Sequence, residues 1–319
     1  MDNLCHTLAG AALGDAGLKQ RSTLGMGTLL IASNLPDLDV AVFLTDTLAM
    51  SFRRGWTHGV LAIVVLPAAL AALMVGWDRL RRRSRSPAVP PATFRGLLLL
   101  ACLGTWLHVF MDFLNSYGVR LLMPFSNRWF YGDALYIVDP FLYVLFGGAI
   151  VLGRRAAKRA PGATSRPARI GLMLAGSYIV VMLASNVWAR AEVRSGLDRA
   201  GRPADTRFMV TPVVVNPFKR EVIIETGDRY EKGVLWFEPL PHFRPAGFGV
   251  DKNTTDPAVI AASQASRVDA YLRWSRFPFF VVERTAARTR VFLNDYRYSD
   301  ETARYGWSAA QFDLPATIQ

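Results

Sequence analysis

The sequence predicts a mainly α membrane protein: a bundle of about six apolar segments over residues 1–189, followed by a soluble α+β domain over residues 190–319. Three observations carry that expectation. The chain of 319 residues is 51% hydrophobic with a mean hydropathy of +0.20, too apolar for one ordinary soluble domain. The apolar residues are gathered into long runs, all before about Arg190. The excess of basic residues falls in alternate loops between those runs.

Residues 3–18 form a short first segment. It has no basic leader and carries Asp2 and His6, and a second apolar run follows directly, so it reads as a retained helix rather than a signal peptide. The second run, 24–43, is interrupted by Asn34-Leu-Pro36-Asp37-Leu-Asp39, where the proline breaks the helix and two carboxylates emerge. Residues 58–77, 96–114, 135–153 and 170–188 are each long enough to cross about 30 Å of hydrocarbon. Cys5 and Cys102 lie inside apolar segments and read as small core residues. Beyond Arg190 the composition turns mixed. Residues 208–215, 221–226, 233–237, 279–283 and 290–294 read as strands, and 257–273 has helical spacing.

The net charge of +12 raises nucleic-acid binding, and its location answers it. With six spans, one set of loops holds 14 basic residues against two acids, running from Lys19 through Arg79–Arg95 to Arg154–Arg169. The opposite loops and helix ends sum to −3, and the tail from Arg190 to +3. The positive-inside rule places the basic loops in the cytoplasm, against anionic lipid head groups. They lack aromatic interleaving and any helix-turn-helix pattern, which disfavours nucleic acid. Both termini then lie outside, and the tail is extracytoplasmic.

On a helix, His108 and Asp112 share one face, about 6 Å apart along the axis. Such a pair can grip one metal ion, or the carboxylate can orient the imidazole; a helix bundle also tolerates it as a plain polar pair. Its company gives it weight. His6, His58 and His108 fall at the outer ends of three different segments, and Asp37, Asp39, Asp112 and Asp139 fall at the same depth. Imidazole and carboxylate suit zinc, with manganese and iron also fitting. So many ligands leave room for two ions, one activating water and both holding the oxygens of a phosphoester. Arg54 and Arg128 are placed to clamp an anion, and Asp37 or Asp39 to accept a proton. Asp139 before Pro140 also reads as a simple helix cap, Asn115 and Tyr117 as flanking polar groups, and His242 as an ordinary residue of the tail.

The ordered set Met1-Asp2…His6-Thr-Leu-Ala-Gly, Leu35-Pro36-Asp37-Leu-Asp39, Arg54-Gly-Trp-Thr57-His58-Gly and His108…Asp112…Asn-Ser-Tyr117-Gly118 resembles the YdjM-type inner-membrane metal-dependent hydrolases. Pro124-Phe-Ser and Asp133…Val-Asp139-Pro140 extend the likeness, which covers about residues 1–150. That family is distantly similar to zinc-dependent phospholipase C and the P1-type nucleases. The resemblance implies a multi-pass protein of the bacterial inner membrane, a divalent metal, and His6, Asp37, His58, His108 and Asp112 as its ligands. Gly59 departs from the family, which commonly has serine there. The expected function is hydrolysis of a phosphoester, small or lipid-linked, at the outer membrane interface. The alternative is a membrane scaffold whose metal only ties helices together. A transporter is disfavoured because the ligands sit at helix ends rather than mid-span.

Overall fold

The computed structural model describes residues 1–45, 49–81, 91–160, 165–299 and 310–315. Asp46 and the arginines Arg82, Arg83 and Arg85 of the first basic linker lie outside the described residues. The chain divides into two compact units. The first comprises Met1–Ala41, Arg53–Ser185 and Val214–Asn216; the second comprises Val42–Phe52, Asn186–Val213 and Pro217–Gln319.

The first unit is helical. Its elements are α1 (Asn3–Asp15), α2 (Gly25–Ala32), most of a 3-10 helix (Leu35–Leu44), α4 (Ala62–Arg81), α5 (Phe94–Phe113), α6 (Pro140–Arg159) and α7 (Ser165–Arg199) as far as Ser185. Four of these, α4 to α7, are long and apolar enough to cross a membrane, or five if the pair formed by α2 and the 3-10 helix is one broken span, bent by 48°. The sequence count of six differs at the start of the chain. Helix α1 has 13 residues, which at about 1.5 Å per residue falls short of a bilayer core. The third apolar run also begins later than predicted: His58 lies in turns that precede α4, with its N–H on the Gly55 carbonyl.

Helix α5 is the hub of this unit. Leu97, Leu100 and Ala101 pack against α2 and α4 with Leu29, Ala32, Leu70 and Ala71, while Met111 joins α1, α6 and α7 through Cys5, Phe146 and Ile179. Close approach to α2 depends on Gly104, where a Cβ would lie 2.7 Å from the Ala32 Cβ and 3.1 Å from the Ser33 nitrogen. Asp2 and Asp139 cap α1 and α6, each accepting two backbone N–H groups, so the capping role open to Asp139 is the one it fills. Its other oxygen accepts from the Tyr178 hydroxyl at 2.9 Å.

The second unit holds two antiparallel sheets, β1 (Phe208–Pro212), β2 (Lys219–Thr226), β3 (Arg229–Phe237) and β4 (Pro241–Asp251) in one, and β5 (Pro278–Arg284), β6 (Arg288–Asp295) and β7 (Ala310–Pro315) in the other. It also holds the short helices α3 (Ala49–Phe52), α8 (Pro257–Ala262) and α9 (Ser266–Trp274). Alternation on β2 sends Val222 and Ile224 toward Val193 and Leu197 of α7, and Ile223 toward Tyr230, Phe277 and Phe279. Burial on both faces explains why Val222, Ile223 and Ile224 are apolar in succession at the centre of this strand. The sequence reading missed β4 because Pro241, Pro245, Gly247 and Gly249 interrupt it; among the described residues β4 lies at the edge of its sheet, the position where proline is tolerated. The helix expected over 257–273 is two short helices, α8 and α9. His242 sits on β4 opposite Trp236.

Candidate metal centre

One ligand atom from each of Asp37, His58, His108 and Asp112 lies within 4.8 Å of the other three, and all four residues are buried. They come from the 3-10 helix, the turns before α4, and one face of α5, so the four-residue spacing of His108 and Asp112 does place both on the same site. His58 Nε2 lies 3.2 Å from Asp112 Oδ2 and 3.2 Å from His108 Nε2. His108 Nε2 is 3.6 Å from Asp112 Oδ2 and 3.9 Å from Asp37 Oδ1.

The ring tautomers follow from the neighbours. His108 Nδ1 meets the Ser33 carbonyl at 2.8 Å, and a carbonyl only accepts, so Nδ1 carries the proton and Nε2 is a bare lone pair. The Thr57 hydroxyl donates to Asp39 Oδ2 at 3.2 Å and so accepts from His58 Nδ1 at 3.0 Å, which leaves His58 Nε2 bare as well. Two imidazole lone pairs and a carboxylate oxygen therefore converge on one buried point. Burial also pushes the His58 imidazole below its ordinary pKa and outweighs the opposing charge of the Asp112 carboxylate, so the neutral, ligand-competent ring is favoured.

The residues fit a divalent ion. Tetrahedral coordination at about 2.0–2.2 Å gives ligand–ligand edges of roughly 3.3–3.6 Å, close to the four separations of 3.2, 3.2, 3.6 and 3.9 Å given above, within a group that spans up to 4.8 Å. The hydrogen bonds that fix the two rings, to a backbone carbonyl and through a hydroxyl to a carboxylate, are those that usually orient metal-binding histidines.

The other predicted residues are placed as follows. His6 is buried beside the group, stacked on His108 at a centroid distance of 3.8 Å, with Nε2 3.3 Å from Asp112 Oδ1. Asp39 accepts from the Arg54 N–H at 2.6 Å, from Thr57 and from Arg53 Nε at 3.4 Å, so it organises the loop that carries His58. Arg54 is buried at a left-handed φ of 51°; its guanidinium reaches Asp112 Oδ1 at 3.0 Å, Asn115 Oδ1 at 3.0 Å and the Met1 carbonyl at 3.3 Å, over the Tyr117 ring. The amino group of Met1 also bonds Asp112 Oδ1. Arg128 is exposed, its guanidinium over the Phe130 ring at 5.3 Å, and is not brought into the group. A Cβ at Gly59 would run into the Met123 carbonyl, so serine there would require that loop to move.

Three contributors escaped sequence reasoning. The Ser33 carbonyl is invisible because backbone carries no residue signal. Asn3, whose amide donates to Asp37 Oδ2 at 2.9 Å, looked like part of a helix start. Arg53, 3.6 Å from Asp37 Oδ1 and 3.4 Å from Asp39 Oδ1, was overshadowed by its neighbour Arg54; two aspartates at i and i+2 were the signal for a cation between them.

A polytopic membrane protein with a buried imidazole–carboxylate centre is thus the class that fold and site define. Residues 1–192 match the family model described as YdjM inner membrane protein, and the chain belongs to that family. It is also similar to the uncharacterized protein YfhP of Bacillus subtilis (strain 168), with 28% identity over 196 residues, 57% of this chain and 54% of that protein. The chain therefore spans about half the length of that relative. No solved structure matches.

Proposed function

We propose that this chain is a membrane-embedded hydrolase that uses a divalent ion, zinc foremost, to cleave a phosphoester at the outer membrane interface. The observation that carries the reading is the facing pair of bare imidazole nitrogens beside Asp112 Oδ2, an arrangement that calls for a cation between them. An ion held there by Asp37, His58, His108 and Asp112 would supply a charge that acidifies water toward neutral pH and polarises an ester oxygen. Asp37 is the most exposed of the four, at 7% of its side chain against none for the others, and is the carboxylate placed to take a proton. Arg53, with a quarter of its side chain exposed, stands beside it where an anionic ester would arrive. The charge of the loops supports a position outside the cytoplasm for this end of the bundle and for the tail. A site at head-group depth suits a lipid-linked phosphate.

One observation favours a second reading, a scaffold in which the metal only joins helices: His58, His108 and Asp112 have no exposed side-chain surface, as in a closed structural site. The test is metal analysis of the purified protein beside turnover on a panel of lipid and soluble phosphoesters, for the wild type and His108→Ala. The hydrolase reading expects one or more bound ions and a hydrolysed ester, with His108→Ala weakening metal binding by at least about a hundredfold and abolishing turnover. Bound metal without turnover on any ester would support the scaffold, and no bound metal would end both readings. Arg128→Gln is the control and leaves metal content unchanged.

A further inference from the structure

The two oxygens of Asp112 face different chemistry. Oδ2 meets the bare nitrogens of His58 and His108. Oδ1 meets donors: the Met1 amino group, Arg54 Nη2 at 3.0 Å and His6 Nε2 at 3.3 Å. No acceptor holds a proton on His6 Nδ1, unlike the Nδ1 of His58 and His108, so the His6 proton is free to sit on Nε2 and be donated to Oδ1, the opposite tautomer to the other two rings. Among the described residues His6 Nδ1 has no hydrogen-bond partner. Arg54 is not free to swing away. Asn115 Oδ1 and the Met1 carbonyl take its nitrogens, the Tyr117 ring lies under it, and its own backbone N–H is fixed by Asp39 at a strained φ.

From this asymmetry we infer that the centre holds a single ion, on the Oδ2 side of Asp112, and that Arg54 is a positioning residue occupying the Oδ1 side where a second ion would otherwise bridge. His6 then supports Asp112 as a hydrogen-bond donor and is not a ligand. The inference rests on the metal-dependent reading above and narrows it to a mononuclear centre. A guanidinium 3.0 Å from Oδ1 repels a second divalent charge there while holding the carboxylate rotamer that presents Oδ2 to the imidazoles.

The test is cobalt(II) titration of the chelator-stripped, full-length protein in detergent, read by visible absorption and by equilibrium dialysis. Wild type binds one equivalent with the intense bands of a tetrahedral site, and His6→Gln keeps that equivalent and those bands. Arg54→Gln lowers cobalt affinity by about tenfold to a hundredfold, and Arg54→Lys, which keeps the charge but not the fork, recovers part of it. Two equivalents in the wild type, loss of the bands in His6→Gln, or unchanged affinity in Arg54→Gln would each overturn the inference while leaving a metal-dependent site intact. Should Arg54→Gln fail to fold, the wild-type stoichiometry and His6→Gln still decide. A wild type that binds no cobalt displaced by His108→Ala would instead sink the underlying reading.

Discussion

Two fully buried aspartates, one in each unit, show what separates a closed ion pair from a candidate ligand. Asp295, at the end of β6, is met by Arg297 Nε and Nη2 at 2.9 and 2.8 Å, by the Arg297 and Arg276 backbone N–H groups at 2.9 Å each, and by the Ser275 hydroxyl at 2.5 Å. Every partner is a donor, and none is a metal ligand. Asp112, equally buried, has donors on one oxygen only; on the other it has two imidazole nitrogens whose protons are committed elsewhere. Burial alone therefore says little about function. The sign of the hydrogen-bonding partners says more: the Asp295 cluster is complete as it stands, and the Asp112 cluster is the one that the proposed ion would complete.

The largest effect that tests this contrast belongs to the closed cluster. Replacing Arg297 by Met leaves a buried carboxylate without its counter-charge and should cost the second unit about 3–5 kcal/mol, read as a fall in the melting temperature of its β signal, with metal content unchanged. The same cluster makes a pH prediction. Burial raises the Asp295 carboxyl pKa, but Arg297 and the other donors outweigh it and hold the group below the ordinary carboxylate range. A depressed folded pKa means the stabilisation is full above the unfolded value of about 4 and is lost as pH falls through the folded value. Melting of the second unit should therefore be flat from neutrality to about pH 5 and decline below about pH 4, and Asp295→Asn should flatten that decline. A wild-type profile no steeper than that of Asp295→Asn would remove Asp295 as the cause.

The two regions were also unequally legible in the sequence. Apolar length made the four long helices readable, and i,i+4 spacing put His108 and Asp112 on one face, because both signals are local. The convergence of Asp37 and His58 on that face was readable only as a shared depth, since loop charge orders segments along the membrane normal and says nothing about their neighbours around it. That is also why Arg128, placed beside the site by depth, is exposed over Phe130, while Arg53 was passed over. In the tail, β1 to β3, β5 and β6 showed through their branched and aromatic runs; β4 did not, because an edge position tolerates the prolines and glycines that elsewhere mark loops. The Asp295 cluster gave no sequence signal at all. Asp295 and Arg297 are two apart, and only the register of β6 with β5 and the turn after it bring Ser275 and Arg276 to them.

A smaller change should couple fold and centre. At Gly104→Val, the new side chain would meet Ala32 and the Ser33 backbone and push α5 away from α2, costing about 1–3 kcal/mol of first-unit stability. His108 stands one turn further along α5, and its Nδ1 depends on the Ser33 carbonyl. Metal affinity should fall with stability, by at least about tenfold, although no ligand is altered. Gly176, inside α7 where a Cβ meets nothing, is the control: Gly176→Ala should leave metal affinity unchanged and should not lower stability. Equal effects at the two glycines would mean that helix packing and the centre are independent.

The smallest effect separates two roles for Asp39. As a proton acceptor it would need a free oxygen facing the ion. Instead Oδ2 takes the Arg54 N–H and the Thr57 hydroxyl, and Oδ1 is nearest Arg53. Through Thr57 it fixes which nitrogen of His58 is bare. Asp39→Asn keeps the shape but offers the hydroxyl a weaker, neutral acceptor, so Thr57 no longer holds a single orientation and His58 samples the wrong tautomer. The expected result is about tenfold weaker metal binding, and Thr57→Val should reproduce it without touching any carboxylate. If Asp39 served as the base instead, Asp39→Asn would bind metal as tightly as the wild type and lose only turnover, while Thr57→Val would lose neither. The pair of variants thus assigns Asp39 by whether it fails together with its hydroxyl neighbour or alone.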